Sequence, residues 1–406
     1  MSSGSLGRDI QRIVKSGNCS GCGACELISS RVSMRPTSDG FLRPTFNAHG
    51  EAETRQQRLE FAAVCPGRTV RGGTERAAVR HKFLGPVVGA WEAWASDERI
   101  RHVGSSGGTI TALTAWLIET GQNYSVVGAS ADNQNPRRTV SVQITTKEEA
   151  LSAAGSRYAP VSNASACTLA GDGRTAFVGK PCEASAIRQL SEIRQLPQPP
   201  LIISFFCAGV PSQLATDDLV RTLGVGQNSK VATLRYRGHG WPGEFYTKDS
   251  DGNAGAMSYD ESWGRKLGPT LQWRCKICAD GVGENADIVA GDYWRADESG
   301  YPLFSDQEGL SVLIARTRRG LSIVEDAIRE GVIKARDVDL DRVAMVQPLQ
   351  VDRRRTIPGR LLGRLLSGYR VPRYRGLSLS ALAIRVPGRN ARAFLGTLRR
   401  SLKNRS

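Results

Sequence analysis

No stretch of this 406-residue chain is apolar for long enough to cross a bilayer. The longest runs, such as LIISFF at 201–206, fall far short of the ~20 residues a spanning helix needs. The opening residues, MSSGSLGRDIQRIVKSG, hold no apolar core of a secretory signal, so the expectation is a soluble, cytoplasmic protein. Asp and Glu are missing from residues 353–406, whose fifteen Lys and Arg carry all but one unit of the net charge of +16. With the remainder near neutral, the pI of 9.8 says little about the chemistry of the body, and nucleic acid is not the favoured partner. For the basic stretch there remain an anionic membrane surface, a protein partner and a solvated helical face. Internal repeats and low-complexity tracts are also absent, which excludes a solenoid.

What is present is cysteine. Cys19, Cys22 and Cys25 stand in NCSGCGAC, and Cys65 is followed by Pro66 in VCPGR. Three thiols at C-x2-C-x2-C spacing with a distant Cys-Pro suit a 4Fe-4S cluster, because Gly21 and Gly23 let successive sulfurs address neighbouring irons. Structural zinc is the alternative, although zinc usually draws two separated Cys pairs. Cys275 and Cys278 in RCKICAD form a further pair. Cys182, after TAFVG, and Cys207, after LIISFF, sit at the ends of two expected strands, where parallel strands converge on one edge of a sheet. These four make a second 4Fe-4S candidate. A reactive Cys182 thiol, its pKa lowered by Lys180 at a helix start, and a zinc knuckle at 275/278 are the rival readings. Cys167 has no partner in this scheme and reads as a buried, inert thiol.

The length exceeds a single core. Residues 1–80 show little periodicity and read as a ferredoxin-like iron–sulfur segment organised by its metal. In residues 81–352, apolar strand-like runs at 87–95, 125–130, 175–179, 201–206, 286–294 and 311–316 alternate with helix-period stretches at 109–121, 183–193 and 211–224. This pattern predicts an α/β (α+β) fold with a mixed or mostly parallel sheet that binds a flavin and the second cluster. Residues 353–406 read as a basic amphipathic tail, which Gly363, Gly368, Pro372 and Pro387 break into short pieces.

GSSGGTITALTAWL places Ser105, Ser106, Gly107, Gly108 and Thr109 at the start of an apolar helix, an anion cradle suited to a diphosphate, although many helices begin this way merely as caps. Beside iron–sulfur sites a flavin becomes the natural occupant. Ser156 and Arg157 are offered to its phosphates and Tyr158 to its ring, with Gly179 and Lys180 in VGKPCE and Asp292 and Trp294 in GDYW as further contacts. No catalytic residue is assigned. Tyr158, His239 and Glu183 are possible proton donors.

From about Asn18 to Arg316 the ordered set CSGCGAC, CP, SSGGTITALTAWLIETG, GSRYAPV, VGKPCEASAIR, FFCAGVPS, YRGHGWPG, CKIC and ADIVAGDYW resembles the coenzyme F420 hydrogenase/dehydrogenase beta-subunit family. The eight-cysteine layout is most similar to its branch with 7-hydroxymethyl chlorophyll a reductase. The resemblance implies FAD, one or two 4Fe-4S clusters, and electron or hydride exchange with a soluble carrier, either reduced coenzyme F420 or a ferredoxin. The chain departs from the family's GTPCQ with GKPCE, and its basic tail has no counterpart. The function expected is an iron–sulfur flavoprotein oxidoreductase acting on a small-molecule substrate, with cell-surface polysaccharide metabolism as one setting. The alternatives are an electron-transfer beta subunit of a larger complex, or a zinc-stabilised binding module with an Arg-rich tail for nucleic acid or membrane.

Overall fold

Six of the eight strands in the central sheet come from the apolar runs of the sequence. The computed structural model describes residues 5–47, 53–121, 125–295 and 308–403. Across the sheet the order is Ile333–Asp337, Gly89–Ala95, Ser311–Ala315, Ile288–Asp292, Leu201–Phe205, Thr175–Gly179, Ser125–Ala131 and Thr139–Ile144. The strands starting at 125, 175, 201 and 288 are parallel to one another. Antiparallel strands extend the sheet on both sides, so it is mixed, as the α/β reading expects.

Both faces of this sheet are covered, which is why Leu201, Ile202 and Ile203 are all fully buried although successive side chains point to opposite sides. On one face Ile203 and Ile288 pack with Leu113 and Trp116 of the Thr109–Glu119 helix and Val324 of the Arg318–Arg329 helix. On the other, Ile202 and Val289 meet Ile187 and Leu190 of the Pro181–Ile193 helix, together with Leu6, Ile10 and Phe61. At about 1.5–3 kcal/mol for each large apolar side chain, these two layers dominate the stability.

Residues 1–80, whose pattern shows little periodicity, contain helices Leu6–Lys15 and Arg55–Val64 and the antiparallel hairpin Val32–Pro36/Leu42–Phe46. A separate three-stranded antiparallel sheet, Val231–Arg235, Phe245–Asp249 and Ala254–Met257, has no signature in the apolar runs; it buries Tyr236 and Phe245 against Leu219.

In the basic stretch the expected breaks at Gly368, Pro372 and Pro387 separate successive elements, but the one at Gly363 does not. The Pro348–Leu366 helix runs through Pro358 and Gly363 without interruption. Gly363 is a contact point, since a Cβ there would lie 2.6 Å from the Phe394 carbonyl oxygen of the Pro387–Lys403 helix. Several of its cations face inward. Arg353 donates to Ala208 O, Arg360 to Lys276 O and Arg364 to Ser16 O, while Arg354 pairs with the buried Glu284. Leu362, Leu365, Leu366, Leu395 and Leu402 remain exposed on the same two helices. Among the described residues no helix is long and apolar enough to cross a membrane.

Candidate functional site

Two cavities are each lined by four cysteines, the second of them beside the ends of the parallel strands Thr175–Gly179 and Leu201–Phe205. The first is lined by Cys19, Cys22, Cys25 and Cys65. Its loop is shaped by Gly21 and Gly23, whose positive φ of 73° and 85° a side chain would oppose. Cys65 caps the Arg55–Val64 helix and brings the fourth thiol across. Apart from Ser20, the remaining lining is apolar or backbone, including Ile10, Val14, Phe61 and Val64. Burial pushes the Cys22 thiol up to about 11 and Cys65 to about 12, and raises Cys19 and Cys25. A metal reverses that preference, because a coordinated thiol is deprotonated outright.

The second cavity is lined by Cys182, Cys207, Cys275 and Cys278. Cys182 sits in the first turn of the Pro181–Ile193 helix, Cys207 just past the Leu201–Phe205 strand, and Cys275 in the short Trp273–Lys276 helix. Burial pushes Cys207 up to about 12 and raises Cys278. The Cys275 sulfur accepts from Val210 N at 3.3 Å and Gln272 Nε2 at 3.5 Å. Lys180, Arg274, Arg353 and Asp280 complete the wall, and Ser20 belongs to both cavities. The reading of Cys182 as an acidified thiol fails here. Burial and Glu183 outweigh Lys180 and hold it well above the ordinary thiol value. Cys167 is buried in the same apolar layer as Cys22 but lines neither cavity, and desolvation pushes it up to about 12. Among the described residues no three His, Cys, Asp or Glu side chains are grouped so as to hold one metal ion.

The candidate flavin residues divide into two groups. Ser105 and Ser156 meet through their hydroxyls at 2.7 Å, and Ser106 donates to Leu310 O. Gly107 N donates to Ser311 Oγ. Gly108 turns the chain with φ 73°, and Thr109 begins the helix with its buried hydroxyl unpartnered. Helical carbonyls do not reach the first-turn amides, so the cradle keeps donors for an anion. Arg157 does not face it. Its guanidinium is taken up by Leu234 O, Pro136 O, Arg138 O and Thr139 Oγ1, all within 3.1 Å. Lys180 belongs to the wall of the second cysteine cavity instead, its Nζ donating to Glu183 and Val161 O, while Gly179 ends its strand with a carbonyl that accepts from Ser204. Glu183, sealed beneath Lys180, has no access to a substrate.

Arg237, not among the sequence-based candidates, organises the rest. It bonds Asp292 at 2.7 Å and Tyr158 Oη at 3.4 Å, and it lies against the rings of Trp241, Tyr259 and Trp294. Burial opposes its charge, but Asp292, Tyr158 and Tyr259 keep the guanidinium above its ordinary value, and one buried nitrogen, Nη2, has no partner. A Cβ on the next residue, Gly238, would fall 2.4 Å from Val103 O, so this aromatic nest abuts the loop that carries Ser105. The available signal was the density of aromatics in residues 236–263. His239, at φ 58° and largely exposed, stands on the rim with its ring 5.6 Å from His102.

Two family models match the chain: the coenzyme F420 hydrogenase/dehydrogenase beta subunit N-terminal region over residues 90–168 and its C-terminal region over 172–341. The coenzyme F420 hydrogenase subunit beta of Methanococcus voltae is 24% identical over 258 residues, 62% of this chain and 84% of that protein. Its counterpart from Methanothermobacter thermautotrophicus is 24% identical over 268 residues, 63% and 86% of the two. The F420-dependent formate dehydrogenase 1 subunit beta of Methanococcus maripaludis is 25% identical over 256 residues, 60% of each chain. A chain of the solved F420-reducing NiFe hydrogenase complex from Methanosarcina barkeri shares the fold, with a TM-score of 0.50 and 22% identity over 68% of this chain and 96% of that one.

Proposed function

Because this chain belongs to the coenzyme F420 hydrogenase/dehydrogenase beta-subunit family, we propose that it is an electron-transfer subunit that joins a soluble two-electron carrier to a partner protein. The relatives are beta subunits by name, which favours this reading over a free-standing reductase with its own substrate. The observation that carries it is the pair of cavities, each lined by four cysteines and sharing Ser20 as a wall.

In this reading Cys19, Cys22, Cys25 and Cys65 hold one 4Fe-4S cluster, and Cys182, Cys207, Cys275 and Cys278 hold another. Thiols ringing a cavity suit a polynuclear core better than a single zinc ion, whose ligands crowd to about 2.3 Å from one point. FAD is assigned to the cradle of Ser105, Gly107, Gly108 and Thr109. The unpartnered Thr109 hydroxyl and the free first-turn amides fit a diphosphate there, and the Tyr158/Trp294 nest around Arg237 flanks the ring. When bound, a flavin takes up a hydride's electron pair and releases it as single electrons. The chain's part is to hold the carrier against that ring, exclude water with Trp241, Tyr259 and Trp294, and neutralise developing charge with Arg237. The carrier is reduced coenzyme F420, with a ferredoxin-type protein as the alternative. Docking falls to the helices Pro348–Leu366 and Pro387–Lys403, whose exposed leucines and arginines suit a partner with an acidic surface.

Iron, sulfide and flavin content of protein purified without oxygen tests the proposal. Close to eight irons, eight sulfides and one flavin per chain are expected. Colourless protein holding stoichiometric zinc refutes it.

A further inference from the structure

The two cysteine rings are tied together around Cys275. Ser20, which directly follows Cys19, lines both cavities, and two buried side chains of the second cavity's wall, Gln272 and Arg274, reach across to the first ring's backbone. Gln272 Nε2 donates to the Ser20 carbonyl at 3.0 Å and to the Cys275 sulfur at 3.5 Å. Arg274, the residue before Cys275, donates through Nη2 at 3.1 Å to the carbonyl of Pro66, the residue after Cys65. The first ring is thus bonded at two points to one corner of the second.

The Gln272 amide has no freedom in this arrangement. Its backbone N–H donates to Val210 O and its carbonyl accepts from Cys275 N, so the side chain starts from a fixed point. A carboxamide nitrogen carries two hydrogens, and both are used, one on the first ring's loop and one on the second ring's sulfur. Turning the amide over would set Oε1 against the Ser20 carbonyl, acceptor against acceptor. The observed orientation holds although it leaves Oε1 buried without a partner, which buried polar atoms seldom tolerate. Val210 N gives the same sulfur a second donor at 3.3 Å. A reduced iron–sulfur centre carries one more negative charge than its oxidised form, and its sulfurs share that charge. A hydrogen aimed at a ligand sulfur therefore favours the reduced form, most strongly where water is excluded.

Resting on the two-cluster reading above, we propose that Gln272 couples the two centres: held by the Ser20 carbonyl of the first ring and donating to Cys275 of the second, it raises the second centre's midpoint potential and fixes the centres side by side, where one electron passes between them. In that step one centre gives up an electron and the other takes it; no bond forms or breaks and no proton moves. Gln272 is a positioning residue, since it acts through Cys275 and touches no substrate.

An anaerobic redox titration followed by electron paramagnetic resonance tests this. In fully reduced wild-type protein the two signals are expected to be split by spin–spin interaction, and Cys275→Ser, which removes the second centre, should leave the first centre's signal unsplit. Gln272→Met fills the same space without an N–H. It should lower the second centre's midpoint potential by about 59 mV, a tenfold fall in its reduced-to-oxidised ratio at a given potential, with the first centre's potential and the iron content unchanged. A side chain that merely filled space would leave both potentials where they are. Should Gln272→Met fail to fold, Gln272→Asn keeps the amide but draws it one methylene back from the sulfur, and it should shift the potential in the same direction. The proposal is overturned if the second centre's potential is unchanged in the folded variant, or if the signals of the reduced wild-type protein are unsplit. Iron and sulfide content read beforehand keeps the two readings apart. Two full clusters with unsplit signals end the coupling alone, whereas fewer than two clusters in the wild-type chain end the two-cluster reading and this proposal with it.

Discussion

Replacing Arg157 by lysine separates two roles that the sequence leaves equally open, phosphate contact and structural clamp. The guanidinium donates to Leu234 O, Pro136 O, Arg138 O and Thr139 Oγ1. It thereby ties the Val231–Arg235 edge of the small sheet to the start of the Thr139–Ile144 strand. Lysine keeps the charge but offers one nitrogen where arginine offers a planar fork. Losing two charge-assisted bonds at about 1.5–2 kcal/mol each gives a deficit of about 3–4 kcal/mol. For a chain of 406 residues, at an unfolding entropy of about 2.1 cal/mol/K per residue, that lowers the thermal midpoint by roughly 3–5 °C. The assay is thermal unfolding by circular dichroism, with flavin content measured on the same preparation. A clamp predicts a lower midpoint and full flavin in the folded fraction. An Arg157→Lys protein that melts within about a degree of wild type but has lost its flavin refutes the reasoning, because it would mean the guanidinium reaches a phosphate.

Cys275→Ser should cut iron and sulfide to about half while leaving flavin in place; unchanged iron would remove the CKIC pair from the ligand set. Cys167 should resist iodoacetamide at pH 8.5 in the native protein and react once the chain is unfolded. Its thiol is raised to about 12, so it stays protonated below that pH, and only roughly one molecule in 3,000 carries the thiolate at pH 8.5. Native labelling at the rate of a free thiol would contradict its burial. Gly363→Val should cost about 1–3 kcal/mol and expose the Pro387–Lys403 helix to protease, because the new side chain meets the Phe394 carbonyl; resistance equal to wild type would mean the helices separate without penalty.

The central sheet was legible because its parallel strands are buried on both sides and so read as unbroken apolar runs. Val231–Arg235 and Phe245–Asp249 were not, since VATLR and FYTKD mix charges and small residues on a half-exposed sheet. The cysteines are the clearest part of the site. Spacing brings out three of them, and the strand-end argument selects Cys182 and Cys207 as companions of Cys275 and Cys278, which the structure places around one cavity. The fate of Arg157 was hidden because its acceptors are backbone carbonyls, which leave no mark in a sequence. Arg237 was hidden for the converse reason: Tyr158, Trp241, Tyr259, Asp292 and Trp294 converge on it from segments far apart in the chain.

The late arginines reach back to the earliest part of the chain. Arg364 donates to Ser16 O across 348 residues, and Asn18 donates to Arg370 O across 352. Tyr374 and Arg360 fasten the backbone around Cys275 and Cys278 in the same way. On a ribosome, the segment bearing Cys19 emerges well before the residues that buckle it shut. Both thiol pouches therefore gain these backbone ties only once residues 360–374 have left the ribosome, so their closure waits on a segment made long after the first cysteines.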